Sequence, residues 1–307
     1  MKTGAVVIAA APPSGAGGFT PLRNIGSISI AQRVVATLRQ AGVSRIVVVT
    51  GYDAAVLERH LANQGAVFLR NNDFEHSSAV DSARIGVEYL QNKCEQILLA
   101  PVEVPLFTSA TVEALLSSDA VLAQPVFCGK AGYPIMMNTR FIPNFLSRKS
   151  AEKLSLAIAI PEQAVVEVPV DDPGILPDVE FSENYDDLLQ RHNRQLTRPQ
   201  VSAALAREVT FFDEKIAMLL ELVEETSSVR TACQRMQISY STGWNIIRIL
   251  ESQLACSLVV RSQGGTNGGQ SMLTEYGRQL LSQYRGFKEE LQRNVDNLYK
   301  KYFGNVF

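Results

Sequence analysis

The sequence predicts a three-layer α/β domain followed by a smaller helical domain that carries a β-hairpin and a long last helix. Three observations point there. Over residues 1 to about 190, short runs of continuously apolar residues alternate with amphipathic stretches, as strands buried on both faces of a parallel sheet alternate with crossover helices. The polar segment Gln190 to Pro199 then interrupts the alternation. Beyond it the pattern turns helical, with a local positive balance that the whole-chain net charge of −2 conceals.

The first domain reads as follows. Ala5 to Ala10, Arg45 to Thr50, Ala66 to Leu69, Gln96 to Pro101 and Val121 to Val126 are expected strands, apolar throughout. Between them lie helical patterns over Ile28 to Gln40, from Asp53 to Asn63 with Asp53 as cap, over Ser78 to Leu90, and after Thr108, which caps the helix holding Val112, Leu115 and Leu116. A ligand is expected at the carboxyl ends of such strands.

Composition narrows the class. With 307 residues, 46% hydrophobic and 20% charged, the chain has the size of two domains and an ordinary globular make-up. That excludes a disordered, collagen-like or small disulfide-stapled chain. No apolar run approaches the roughly 18 residues of a membrane span. Cys94, Cys128, Cys233 and Cys256 are far apart, with no Cys-x-x-Cys pair, which reads as isolated reduced thiols of a cytosolic protein. Lys2 and the apolar Ala5 to Ala11 have the outline of a short signal segment. A buried first strand entering a glycine-rich loop accounts for the same residues.

In the second domain, Asp213 to Glu225 is a helix with Ile216, Leu219, Leu220 and Val223 on one face. Residues 227–285 contain six arginines and two glutamates, a balance of +4. Ser227 to Met236 is a short helix, with Ala232 where close packing is needed. Ser239 caps a second helix, Tyr240 to Leu254. This is helix-turn-helix spacing, in which the second helix enters the major groove of DNA. Ser239, Tyr240, Ser241, Thr242 and Asn245 offer donors and acceptors for bases or phosphates, with Arg248 one turn on. Trp244 and Ile247 read as core. A glycine-rich turn between Ser257–Gln263 and Gln270–Leu273 makes a β-hairpin wing with Arg261 at its edge, and Thr274 caps a long amphipathic helix to about Tyr302. Its apolar positions, Leu280, Leu281, Tyr284, Leu291, Val295 and Leu298, need covering, by a partner copy or by the linker.

The run from Ser228 through Glu251, the glycine-rich wing and Leu273-Thr274-Glu275-Tyr276-Gly277 resemble the winged helix-turn-helix of ModE-type molybdate regulators, distantly related to the LysR family. The resemblance implies DNA binding as a homodimer. ModE regulators carry molybdate-binding domains after this module and none follows here, so molybdate sensing is not part of the expectation.

In the first domain, the strand-one loop Ala11-Pro-Pro-Ser-Gly-Ala-Gly-Gly-Phe-Thr-Pro-Leu is placed where backbone N–H groups cradle phosphates, though Pro12 and Pro13 remove two donors. With Thr50-Gly-Tyr, Asp81 to Gly86, Pro101-Val-Glu-Val-Pro, Cys128 to Pro134 and Pro177 to Tyr185, it resembles the MobA/MocA-like guanylyl- and cytidylyltransferases of molybdenum cofactor synthesis, over about residues 4–190. The resemblance implies a Rossmann-like nucleotidyltransferase fold, CTP or GTP as ligand, and Mg²⁺. It assigns the nucleotide to Ala11, Ser14, Gly15, Gly17, Gly18, Thr20 and Ser82, and the metal to Glu103 and Glu180. The sequence departs from the family at chemically important points. The family's loop glycine is Ala11, its phosphate-binding Arg is Gly15, its Lys is Thr20, its two metal-binding Asp are Glu103 and Glu180, and its His is Tyr133. Arg23, three residues past Thr20, is either a substitute cation or a plain surface charge. Asp178 and Glu183 read as caps or solvated residues.

The expected organisation is therefore a nucleotidyltransferase-like domain over 1–192, a linker over 193–212 and a winged helix with its long last helix over 213–307. The expected function is a DNA-binding transcriptional regulator. Its first domain is an active nucleotidyltransferase, a former enzyme that binds a nucleotide or pterin-like effector (the preferred reading), or a structural body. No membrane partner is expected.

Overall fold

The computed structural model describes residues 2–12, 20–62, 64–147, 154, 158, 165–177, 185–196, 199, 201–262 and 270–303. They form two compact units, residues 1–197 and 198–307.

The first unit is built on an eight-stranded sheet. Its parallel centre is β1 (Thr3–Ala9), flanked by β4 (Arg45–Thr50) and β6 (Gln96–Pro101), with β5 (Val67–Arg70) outside β4. Two tiny strands, β2 (Asn24–Ile25) and β3 (Ile28–Ser29), form a separate hairpin. On the other side, β9 (Ile135–Asn138) runs antiparallel between β6 and β7 (Leu122–Phe127), β8 (Lys130–Ala131) folds back on β7, and β10 (Val166–Pro169) pairs parallel to it. The period-2 rule is visible in β1: Ala5, Val7 and Ala9 face one core, Val6 and Ile8 the other. The first core takes α1 (Ile30–Gln40), α2 (Ala54–Leu61) and α4 (Ser109–Ser117); the second takes α3 (Ala79–Leu90) and α5 (Ile142–Ser147). Helices thus cover both faces, which is why the strands read as unbroken apolar runs.

Local chemistry sets the helix starts. Ser29 with Gln32 and Ser78 with Asp81 make reciprocal capping boxes, and Thr108 accepts from Thr111 N to start α4. Asp53 does not cap α2 with its side chain: its backbone is left-handed at φ 47°, which turns the carboxylate away from the first-turn N–H groups. The expected strands at Arg45–Thr50 and Gln96–Pro101 form with those bounds, while β9 and β10 were not foreseen. Among the described residues no helix is long and apolar enough to cross a membrane.

A last helix, α6 (Tyr185–Gln195), docks through Leu188 and Leu189, which pack against the first core, and through buried polar groups. Fully buried Arg33 of α1 donates to Asn193 Oδ1 (2.8 Å) and Ile25 O (2.5 Å), and pairs with His192 Nδ1 (2.9 Å). His192 Nε2 reaches Phe107 O at 3.1 Å.

In the second unit, residues 205–212, within the expected linker, form a hairpin of β11 (Leu205–Ala206) and β12 (Thr210–Phe212). It is held because Phe212 is fully buried, its ring 4.8 Å edge-on from Tyr284. Then come α7 (Glu214–Thr226), α8 (Val229–Arg235) and α9 (Tyr240–Leu254), capped by Asp213, Ser228 and Ser239. The wing pairs β13 (Val259–Ser262) with β14 (Gln270–Leu273), and α10 runs Glu275–Phe303 from a Thr274 hydroxyl that accepts from Gly277 N.

Candidate functional site

Two sites are candidates, one in each unit. In the first unit, the loops after β1, β4 and β6 gather at one end of the sheet. Ala10 O accepts from Tyr52 N (3.0 Å), and Ile8 O accepts from Val102 N (3.1 Å), so three strand ends are stitched into one rim. Gly51 is needed there: a Cβ would press on Ala10 O and the Phe74 ring. Of the nucleotide candidates, Ala11 is exposed on this rim and Thr20 opens the short 3₁₀ turn Thr20–Leu22. Ser82 is 3% exposed and its hydroxyl accepts from Asn71 Nδ2 (3.0 Å), so its oxygen is engaged in holding the β5–α3 loop. Ser14, Gly15, Gly17, Gly18 and Glu180 lie outside the described residues, as do Asp178 and Glu183.

Glu103 sits just past β6, on the loop that strand-end logic predicts. Its side chain reaches solvent but is ringed by protein. This desolvation pushes its carboxyl pKa up, opposed by a hydrogen bond from its own backbone N–H. Tyr133 faces it. Burial raises the Tyr133 phenol pKa, and the Glu103 charge raises it further. The structure thus brings together two of the positions at which the sequence departs from the family pattern. Among the described residues no cluster of three or more His, Cys, Asp and Glu side chains could hold a metal. Glu103 is the described half of the expected metal pair. A hard carboxylate oxygen at the end of a sheet strand fits a divalent cation, which would hold it charged.

In the second unit, all seven DNA candidates are exposed: Ser239, Tyr240, Ser241, Thr242, Asn245, Arg248 and Arg261. Ser239 Oγ accepts from Thr242 N (3.0 Å) and bonds the hydroxyls of Ser241 (2.8 Å) and Thr242 (2.7 Å), so three hydroxyls cluster at the positive end of α9. Arg248 donates to Asn245 Oδ1 at 2.9 Å, presenting a guanidinium and an amide side by side. Ile247 is fully buried. Trp244 is half-buried, with Tyr240 edge-on at 6.3 Å and the Arg261 guanidinium 3.6 Å above its ring centre.

Sequence reasoning passed over two participants. Arg230 of α8 lies 5.0 Å over the Tyr240 ring. Glu251, near the end of α9, accepts from Leu258 N (2.6 Å) and Val259 N (3.1 Å) and so sets where the wing begins. No local spacing signals either contact.

Comparison with known proteins accounts for both units. A family model described as the bacterial regulatory helix-turn-helix protein, lysR family, matches residues 215–278. The molybdenum transport protein ModE of Azotobacter vinelandii is 36% identical over 80 residues, 26% of this chain and 30% of that protein. The chain therefore spans under a third of the length of that relative. Among solved structures, Rv0371c from Mycobacterium tuberculosis H37Rv superposes with a TM-score of 0.51 at 18% identity, covering 62% of this chain and 98% of that one. A nucleotidyl transferase from Methanothermobacter thermautotroptrophicus gives 0.51 at 18%, covering 64% and 98%. These two likenesses establish the fold of the first unit. The model for the MobA-like NTP transferase domain matches residues 5–171, more than half of the 307, and by that match the chain belongs to the MobA-like NTP transferase family.

Proposed function

We propose that the chain is a DNA-binding transcriptional regulator whose first unit binds a nucleotide or pterin-like ligand as an effector. The observation that carries the DNA half is the exposed face of α9, where hydroxyls, an amide and Arg248 line one side of a capped helix next to a wing. The curated ModE protein supports the same reading. A second copy is the proposed partner of α10: Leu281 and Tyr284 are covered within the unit, but Phe287, Leu298 and Tyr302 are 49%, 53% and 65% exposed. An effector acts on DNA affinity only through its differential affinity for two conformations.

Arg248→Ala is expected to weaken binding of the cognate operator by about 5- to 150-fold, the range of one good base contact. Relaxed sequence preference would mark Arg248 as reading a base; a uniform loss with a shallower salt dependence would mark a phosphate contact. Unchanged affinity by fluorescence anisotropy would remove α9 from the groove.

A second reading, a working Mg²⁺-dependent nucleotidyltransferase, is favoured by Glu103 and Tyr133 at the strand-end rim. Mg²⁺ would supply charge neutralisation at the phosphates, held by Glu103 and Glu180. Against it stand Gly15 and Thr20, which supply no cation to a triphosphate. Calorimetric titration with CTP, GTP and ATP, with and without Mg²⁺, separates the two. Binding that needs Mg²⁺ and falls more than about tenfold in Glu103→Gln is the enzyme outcome and calls for a pyrophosphate-release assay. Metal-independent binding leaves the effector reading, and no binding of any nucleotide ends the enzyme reading.

A further inference from the structure

We propose that Arg261 is a positioning residue: its guanidinium, stacked on Trp244, clamps the wing to the recognition helix and fixes the angle at which the two meet DNA. This rests on the DNA-binding reading above and adds a role for a ring–cation pair that the motif alone does not contain.

The pair joins separate elements. Arg261 belongs to β13, opposite Ser271 of β14, and Trp244 belongs to α9. A 3.6 Å separation from guanidinium carbon to ring centre is face-on contact. The chain of contacts continues through the Tyr240 edge to Arg230, so the two rings of α9 are flanked by one cation from the wing and one from α8. Nothing else orients the indole by hydrogen bonding: Trp244 Nε1 is covered and has no acceptor among the described residues. The ring is held by its faces and edge. Nor does any carboxylate among the described residues pair with Arg261, so the guanidinium is not diverted to a surface ion pair. Glu251 ties the base of the wing to α9 through Leu258 N and Val259 N, and the Arg261 stack is a second tie further along the same strand. Two ties along one strand define an angle where one would leave a hinge.

A planar stack separates positioning from simple charge. Lysine keeps the positive charge but not the planar face that lies on an indole. The probe is a fluorescein-labelled duplex of mixed sequence at about 50 mM salt, where non-specific binding is strong enough to read. Under the proposal, Arg261→Lys loses affinity about as much as Arg261→Gln, on the order of fivefold. Trp244→Leu loses a similar factor, Trp244→Phe recovers most of it, and Trp244→Leu/Arg261→Gln is no worse than either single change. Wild-type affinity in Arg261→Lys, or additive losses in the double variant, would overturn the clamp and leave Arg261 a plain phosphate contact.

An independent readout needs no DNA. Trp244 is the sole tryptophan of the chain, so its emission in the free protein reports the stack directly. A change in emission is expected in Arg261→Lys, and identical spectra would overturn the proposal by themselves. Should the wild-type protein fail to bind the duplex, the DNA reading fails, while the emission still decides whether the clamp exists.

Discussion

Acidification from pH 7 to pH 4 is expected to cost the first unit about 3 kcal/mol through His192 alone, a loss absent from His192→Asn. The imidazole is 1% exposed. Burial, and then the neighbouring Arg33 charge, lower its pKa from 6.5 to about 3, against a smaller opposing contribution from the hydrogen bond to Phe107 O. The contacts assign its roles: Nδ1 accepts from Arg33, leaving Nε2–H to donate to Phe107 O. Because the folded-state value is depressed, the unfolded chain takes up the proton first. The stabilisation is complete above pH 6.5, falls as pH drops below it, and is gone once pH passes the folded value near 3. At 1.36 kcal/mol per pH unit the whole effect has an upper limit of roughly 5 kcal/mol.

At neutral pH the same substitution costs about 1–3 kcal/mol, since Phe107 O loses its donor in a dry site. The quantity to follow is the difference between wild type and variant, because carboxylates titrate in both. That difference should shrink from pH 7 to pH 4. Urea unfolding by far-UV circular dichroism reads it, and the lone tryptophan, in the second unit, identifies which transition belongs to that unit. Parallel loss of stability in the two proteins would remove His192 from the acid response.

This cluster also marks the limit of what the sequence discloses. Arg33 and His192 are 159 residues apart, and each looks like an ordinary surface residue in its own helix. The strands Arg45–Thr50 and Gln96–Pro101 were legible because burial on both faces writes an unbroken apolar run. Ile135–Asn138 was not, since a four-residue strand gives too little pattern and its neighbours in the sheet are decided by tertiary pairing. The Ser239 cap and the exposed face of α9 were legible because caps and helix faces are local. The Arg261–Trp244 stack was not, because β-hairpin and helix meet through the fold. Asp53 misled for a local reason: the residue type suits a cap, but a left-handed backbone spoils the geometry.

Gly243→Ala is expected to destabilise the winged-helix unit by about 1–3 kcal/mol, although alanine is the better helix former. Gly243 lies in α9 facing α8, and a Cβ there would be driven into Cys233 Sγ. Propensity alone would gain about 1 kcal/mol for alanine. Against this, Cys233 is 1% exposed and its thiol hangs on a single torsion within a packed helix. Relief therefore requires α8 and α9 to separate, which disturbs the close crossing on which recognition depends. The two positions therefore share one volume. Cys233→Ala alone should cost about 1 kcal/mol for lost packing, and Gly243→Ala/Cys233→Ala should return to within about 1 kcal/mol of wild type. Trp244 is adjacent, so its emission during urea unfolding reads the cycle. A single Gly243→Ala variant at least as stable as wild type would mean that propensity prevails and the helices do not meet at this contact. Additive losses in the double variant would mean that the steric conflict lies elsewhere on α9.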